Sequence, residues 1–301
     1  MEKKVFIVVG PTAVGKTRFA IELAQHLDTE IISADSRQFY KEMTIGTAVP
    51  SQEELDSVTH HFIQHMSIQD HYNVHKFEQD ALAKIEEIFH KKDTVVVVGG
   101  SGLYLNALAY GIDDLPDPSE ETRQKLKILY EDDGLEGLQS LLKKLDPVFL
   151  EQVDIYNSKR LIRALEVCIT TGRPYSDQRL DTKKDRPFQI KWIGLKQERS
   201  LLNERINWRV DLMLDAGLIK EVRELYPFKE LNALNTVGYR EFFIWLDGKE
   251  TYEWAVEKVK TNSRRFAKRQ MTWFNKNEDI LWIEVGHQSV IDWPKIGMPL
   301  K

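Results

Sequence analysis

The chain has 301 residues, a formal net charge of -5 and one cysteine, Cys168. That length admits one large domain or two modest ones. A single thiol excludes an intrachain disulfide, and a thiolate zinc site would need further ligands. With 42% hydrophobic and 10% aromatic residues the chain can build a packed core, which argues against disorder.

In chain order, Val5–Val9 is an apolar, mostly β-branched run that predicts a buried strand. It is too short to cross a bilayer, and the glycine-rich loop directly after it speaks against a signal peptide. No later stretch reaches membrane length, so a soluble, cytoplasmic protein is expected. Thr17–Leu27 predicts a helix with Phe19, Ala20, Leu23, Ala24 and Leu27 on one face. A strand over Glu30–Ala34, a helix over Phe77–Phe89 and a strand over Thr94–Val98 complete an alternation that implies a parallel sheet flanked by helices.

The pattern changes at the acidic, proline-marked segment Asp113–Pro118. From about Ser119 to Thr171 only helices are predicted, the last broken by Gly172-Arg173-Pro174. Cys168 falls in the apolar run Leu165–Ile169 and is expected to pack in a core. Strand character returns over Phe188–Leu195, followed by helices at about Gln197–Tyr226, 239–247 and 251–276. The expected fold is α/β, a P-loop NTPase-like parallel sheet core (1–112 and 188–301, its C-terminal part helical) with an inserted helical domain (113–187).

Gly10-Pro-Thr-Ala-Val-Gly15-Lys16-Thr17 fits G-x-x-x-x-G-K-[ST] at every fixed position, with a strand before it and a helix after it. In such a loop the backbone N–H groups and the helix N-terminus wrap a phosphate, the lysine neutralises charge, and the threonine hydroxyl holds Mg²⁺. The magnesium-binding Asp that commonly closes a strand in ATPases is missing, because Thr94–Val98 runs into Gly99-Gly100-Ser101-Gly102. An acidic residue instead follows the second strand, in Ser33-Ala34-Asp35-Ser36-Arg37-Gln38. The carboxyl ends of parallel strands line the ligand crevice, so Asp35, Ser101 and the loop are expected to converge there. Asp35 reads either as a turn cap or holder of a magnesium-bound water, or as a general base. Ser101 reads either as a helix N-cap or as a group that orients the base or touches the acceptor.

These segments resemble those of the tRNA dimethylallyltransferases. The resemblance is carried by the phosphate loop, Ile32–Ser36, Ile45-Gly-Thr-Ala48, Val98–Tyr104, Arg160–Glu166, Arg205–Met213, Thr236–Glu241 and Lys268–Phe274, in that order. It implies transfer of a dimethylallyl group from dimethylallyl diphosphate, with Mg²⁺, to N6 of the adenosine immediately 3′ of the anticodon. On this reading Gly10, Thr12, Ala13, Val14, Gly15, Lys16 and Thr17 hold the diphosphate, and Thr17 holds the metal, with Asp35 through water. Asp35 is the base, Ser101 contacts substrate and Arg209 grips the diphosphate. Asp35, Ser36, Arg37, Gln38, Ser101, Arg123, Lys159, Arg160, Arg163, Arg240, Arg265, Lys268 and Arg269 meet the tRNA, whose anticodon stem-loop the insertion clasps. A monomer is expected. Three positions depart from the family pattern: Val49 and Asn275 stand where a basic residue is usual, and Trp208 replaces one before Arg209.

The net charge argues weakly against RNA, but 257–276 holds Lys258, Lys260, Arg264, Arg265, Lys268, Arg269 and Lys276 against Glu257 alone. That surplus is where a phosphate backbone would lie. Phe266 and Trp273 on the same helix are expected in the core. Five histidines between His60 and His75 lack a standard zinc spacing, and His60–His61 are expected beside the prenyl donor. Three alternatives share the loop: an ATP-dependent small-molecule kinase, a prenyltransferase acting on free AMP, and an RNA-binding module in which the loop is a switch. The insertion and the basic helix count against the first two, and Asp35 with Ser101 against the third.

Overall fold

The computed structural model describes residues 2–179 and 183–286. It separates into two compact units, Met1–Ala109 with Asp185–Lys301, and Tyr110–Lys184. The second therefore starts at Tyr110 rather than 113 and ends at Lys184 rather than 187.

The first unit holds, in order, β1 (Lys4–Val9), α1 (Lys16–Leu27), β2 (Ile31–Ser33), α2 (Gln52–Ser57), β3 (His60–His61), α3 (Val74–Phe89), β4 (Thr94–Val98) and most of α4 (Gly102–Tyr110). The second unit carries α5 (Glu120–Leu145), α6 (Pro147–Gln152), α7 (Ser158–Thr171) and α8 (Tyr175–Gln178). The chain then returns to the first with β5 (Gln189–Lys196), α9 (Arg199–Asp215), α10 (Leu218–Leu225), α11 (Arg240–Leu246), α12 (Tyr252–Phe274) and β6 (Ile280–Glu284). The expected single helix over Gln197–Tyr226 is two, because Gly217 adopts φ 100°, a left-handed conformation that ends a helix. Gly134, at φ 62°, likewise kinks α5.

All described strand pairs are parallel, in the order β3-β2-β4-β1-β5-β6. β1, buried from Val5 to Val9, lies between β4 and β5. Helix α1 turns Phe19, Ala20, Leu23 and Ala24 onto the sheet, where they join Phe6, Val8, Val96 and Ile193 in one core. Register decides what the strands present at their carboxyl ends. Val98 pairs with both Val8 and Ser33, so the turns after β1, β2 and β4 emerge side by side. They pack so closely that a Cβ on Gly99 would lie 2.4 Å from the Ala34 carbonyl oxygen.

The second unit has its own core of Leu126, Leu138, Leu142, Phe149, Leu161 and Leu165. Asp146 is wholly buried and fully used: its carboxylate accepts from Phe149 N–H at 2.9 Å, Ser176 N–H at 2.7 Å and the Ser176 hydroxyl at 2.8 Å. Cys168 is buried as expected, and its Sγ accepts from the Tyr175 N–H at 3.2 Å. Two core expectations fail, Phe266 and Trp273. Phe266 is 40% exposed although, seven residues after Val259, it lies close in phase to the buried stripe of α12 through Ala255, Val259, Ala267, Gln270 and Phe274; its ring packs under the Arg269 guanidinium instead. Trp273 is 38% exposed, with part of its ring against Gly102.

Candidate active site

The loop between β1 and α1 takes its shape from three left-handed residues, Gly10 (φ 146°), Ala13 (φ 66°) and Gly15 (φ 101°). A side chain on Gly10 would meet the Leu195 carbonyl oxygen at 2.5 Å. No side chain caps the start of α1, which leaves its first N–H groups and its positive dipole end for an anion.

Beside the loop lies a cavity of about 260 Å³, lined by Thr12, Ala13, Gly15, Lys16, Thr17, Asp35, Gln38 and Arg209 among others. Gly10 and Val14, expected to touch the diphosphate, do not line it. Gly10 sits against β5, and Val14 is fully buried with the core. The Thr12 amide is also taken, donating to Gln270 Oε1 at 2.8 Å.

The charges are grouped. Lys16 Nζ bends back to donate to the Pro11 carbonyl at 2.9 Å, and burial lowers its pKa to about 8, with Asp35 raising it and Arg209 lowering it. Arg209 Nη2 donates to Thr12 Oγ1 at 2.6 Å. Burial lowers the guanidinium pKa and Asp35 opposes the shift, yet an arginine keeps its proton. Asp35 Oδ1 accepts the Arg37 N–H at 3.0 Å in an Asx turn. The carboxylate thus lies in the field of two cations on a cavity wall, with its Oδ2 outside that turn. Thr17 and Asp35 are hard oxygen donors of the kind Mg²⁺ takes when phosphate and water fill its other positions.

The acceptor-side residues are tied to the frame. Ser101 does not cap α4 with its hydroxyl. Its Oγ accepts from Ser36 N–H at 3.0 Å and donates to Ser36 Oγ at 3.1 Å, so it joins the β4 and β2 turns. Arg37 donates to the carbonyls of Asn232 and Ala233 at 2.9 and 3.0 Å. Gln38 donates to those of Thr47 and Ala48 at 3.2 and 2.8 Å, shaping the wall that Val49 follows. His60 lines the cavity, whereas His61 pairs with Glu30 at 2.6 Å and is not among the lining residues. The Val58 carbonyl takes the proton on His60 Nδ1, at 2.8 Å, and burial lowers the ring pKa. Trp208, one of the departures, lines the same cavity while 65% exposed.

Two residues escaped the sequence reading. Glu221 gathers the N–H groups of Thr44, Ile45 and Gly46 at 3.0, 2.7 and 2.9 Å, and the Tyr239 hydroxyl at 2.6 Å. It thereby fixes the approach to the Thr47–Ala48 wall. Gln270 is the other. Both use ordinary side chains 170 or more residues from some partners in sequence, and only the Gln270 segment lies in a recognisable motif.

The basic residues of α12 expected at RNA do not line the cavity that holds Lys16 and Asp35. Arg265 and Lys268 line a separate cavity of about 390 Å³ with Lys196, Arg199 and Arg264. Arg269 stacks over Phe266 at 5.7 Å, and Arg240 donates to Asn235 at 3.3 Å. Within the second unit Lys159 and Arg160 are exposed at the start of α7. Arg123 pairs with Glu120 at 3.8 Å. Arg163 is partly committed internally, to the Pro116 and Leu115 carbonyls at 3.3 and 3.4 Å.

A parallel sheet, a phosphate loop and a carboxylate held between cations define a P-loop-type group transferase. The profile of the IPP transferase family matches residues 38–277. A tRNA dimethylallyltransferase of Christiangramia forsetii is 54% identical over 94% of this chain and 93% of its own. One from Flavobacterium johnsoniae is 49% identical over 94% and 93%. Among solved structures, the full-length tRNA isopentenylpyrophosphate transferase of Bacillus halodurans superposes with a TM-score of 0.69 at 37% identity, covering 94% of this chain and 90% of that one. A eukaryotic dimethylallyltransferase acting on tRNA gives 0.76 at 28% identity, covering 94% and 74%. The chain belongs to the IPP transferase family. These relatives lend no support to the small-molecule kinase alternative.

Proposed function

We propose that this chain modifies tRNA by moving a dimethylallyl group from dimethylallyl diphosphate to N6 of the adenosine 3′ of the anticodon. The observation that carries the reading is one cavity that unites the phosphate loop, Lys16, Thr17, Asp35 and Arg209. Family membership names the chemistry such a cavity serves.

An exocyclic adenine amine is a poor nucleophile because its lone pair is delocalised into the ring. Asp35 takes the N6 proton as the N6–C1 bond forms. The C1–O bond breaks, its electron pair leaving with the diphosphate. Lys16, Arg209 and the open N–H groups of α1 stabilise that charge. Thr17, with Asp35, would hold Mg²⁺, which would supply further charge neutralisation at the leaving group. Ser101 and Ser36 hold the turn that bears Asp35. The target base leaves its stack at a cost of a few kcal/mol, which a loop nucleotide keeps low. Arg123, Lys159, Arg160, Arg163, Arg240, Arg265, Lys268 and Arg269 are the candidates for the RNA backbone, and the Tyr110–Lys184 unit for the anticodon stem-loop. No described helix is long and apolar enough to cross a membrane.

Isotope-labelled dimethylallyl diphosphate, unmodified tRNA and Mg²⁺, without ATP, test the whole reading. Label should enter the tRNA and vanish when the adenosine 3′ of the anticodon is replaced. Label that stays out of tRNA while ATP is consumed would sink it.

A further inference from the structure

Ser101 sits on a turn with glycine on both sides, and α12 explains why. A Cβ on Gly100 would lie 2.2 Å from Gln270 Nε2, and one on Gly102 would lie 2.3 Å from the Trp273 ring. Gln270 and Trp273, three residues apart and so on one helix face, therefore press on the Ser101 turn from either side. Gln270 is 6% exposed and bonds at both ends of its amide. Oε1 accepts from Thr12 N–H in the phosphate loop at 2.8 Å, and Nε2 donates to the Gly100 carbonyl at 3.1 Å. A backbone N–H can only donate and a carbonyl can only accept, so one amide orientation alone satisfies both. Ser101 then continues the connection to Ser36, next to Asp35.

From this geometry we infer that Gln270 is a positioning residue that sets the donor's phosphate loop in register with the Ser101–Asp35 acceptor side, so that the allylic carbon is captured by N6 rather than by water. The inference rests on the prenyl-transfer reading above. Gln270 is not among the residues lining the cavity; it acts through Thr12 and Gly100. Its failure has a chemical signature. When donor and acceptor sides drift apart, C1–O cleavage still releases diphosphate. Water oxygen then bonds C1 and loses a proton to solvent, giving dimethylallyl alcohol in place of prenylated tRNA. A misplacement of about 1 Å costs on the order of 100-fold in rate.

The test follows labelled donor into both products, with wild type, Gln270→Met and Gln270→Glu. Methionine keeps the length and loses both bonds. Glutamate still accepts from Thr12 but cannot donate to Gly100. The methionine variant should show donor KM within about threefold of wild type, transfer kcat lower by roughly 10- to 100-fold, and an alcohol-to-tRNA ratio raised about tenfold. The glutamate variant should fall between, and it decides the matter if the methionine variant does not fold. An unchanged product ratio in a folded variant, or a ratio held constant while both KM values rise and thermal stability falls, overturns the positioning role. Wild type that puts no label into tRNA overturns the functional reading, and this inference with it.

Discussion

Asp35 and Lys16 share one cavity wall but respond to different measurements. Asp35→Asn preserves shape and the Arg37 turn while removing the base. Single-turnover transfer should slow by about two to four orders of magnitude with tRNA affinity retained; transfer at the wild-type rate would remove Asp35 from the mechanism. Burial brings the Lys16 pKa down to about 8, so the free protein loses this cation as pH rises through that value. kcat/KM for the diphosphate donor should therefore decline above about pH 8. kcat at saturating donor should decline less, since bound diphosphate favours the protonated amine. The same shift makes the unfolded chain hold more protons than the folded one between about pH 8 and the ordinary lysine value of 10.5, so this site alone makes stability rise with pH across that window. A flat donor profile from pH 7 to 9 would show that Lys16 does not meet the diphosphate.

At the scale of elements, the return from the inserted unit is secured by one ion pair. Arg186 Nη2 meets Glu78 of α3 at 2.6 Å, with side-chain exposures of only 9% and 4%, and the guanidinium also donates to the Leu108 and Ala107 carbonyls at the end of α4. Arg186→Met removes the cation that meets a buried carboxylate and should lower the unfolding free energy by about 3–5 kcal/mol, read from the urea midpoint. A loss under about 1 kcal/mol would mean the pair is solvated in practice. The elements legible in sequence were those with long apolar runs or contiguous motifs, such as β1, the phosphate loop, β4 and β5. Two strands were missed. β3 is only His60–His61, too short for any period to show, and β6 is the five-residue Ile280–Glu284 beyond the last helix. In the site, Lys16, Thr17 and Asp35 were legible because one local segment carries each. Gln270 and Glu221 were not, because such an amide or carboxylate has no signature until the fold brings its partners to it.

For the whole molecule, the acidic balance and an RNA substrate are reconciled by where the cations lie. Arg265 and Lys268 share a basic cavity wall, with Arg269 beside them on α12. Reversing Arg265 and Arg269 to Glu should weaken tRNA binding at low salt. It should also reduce the slope of log affinity against log salt by about 0.7–0.9 for each RNA phosphate no longer neutralised, measured by filter binding; an unaltered slope would move the RNA elsewhere. The strand order has a further consequence, for a chain that is still being made. The Tyr110–Lys184 unit is one continuous stretch and can fold as it leaves the ribosome. The site cannot, for β1 waits on β5 and Thr12 waits on Gln270, 258 residues later. At about 5–20 residues per second, that interval lasts roughly 13–50 s. Throughout it the first-made loop lacks its amide partner, and until Gln189–Lys196 is made it lacks its second neighbouring strand as well, so a nascent enzyme of this design stays catalytically silent until nearly its whole length has been translated.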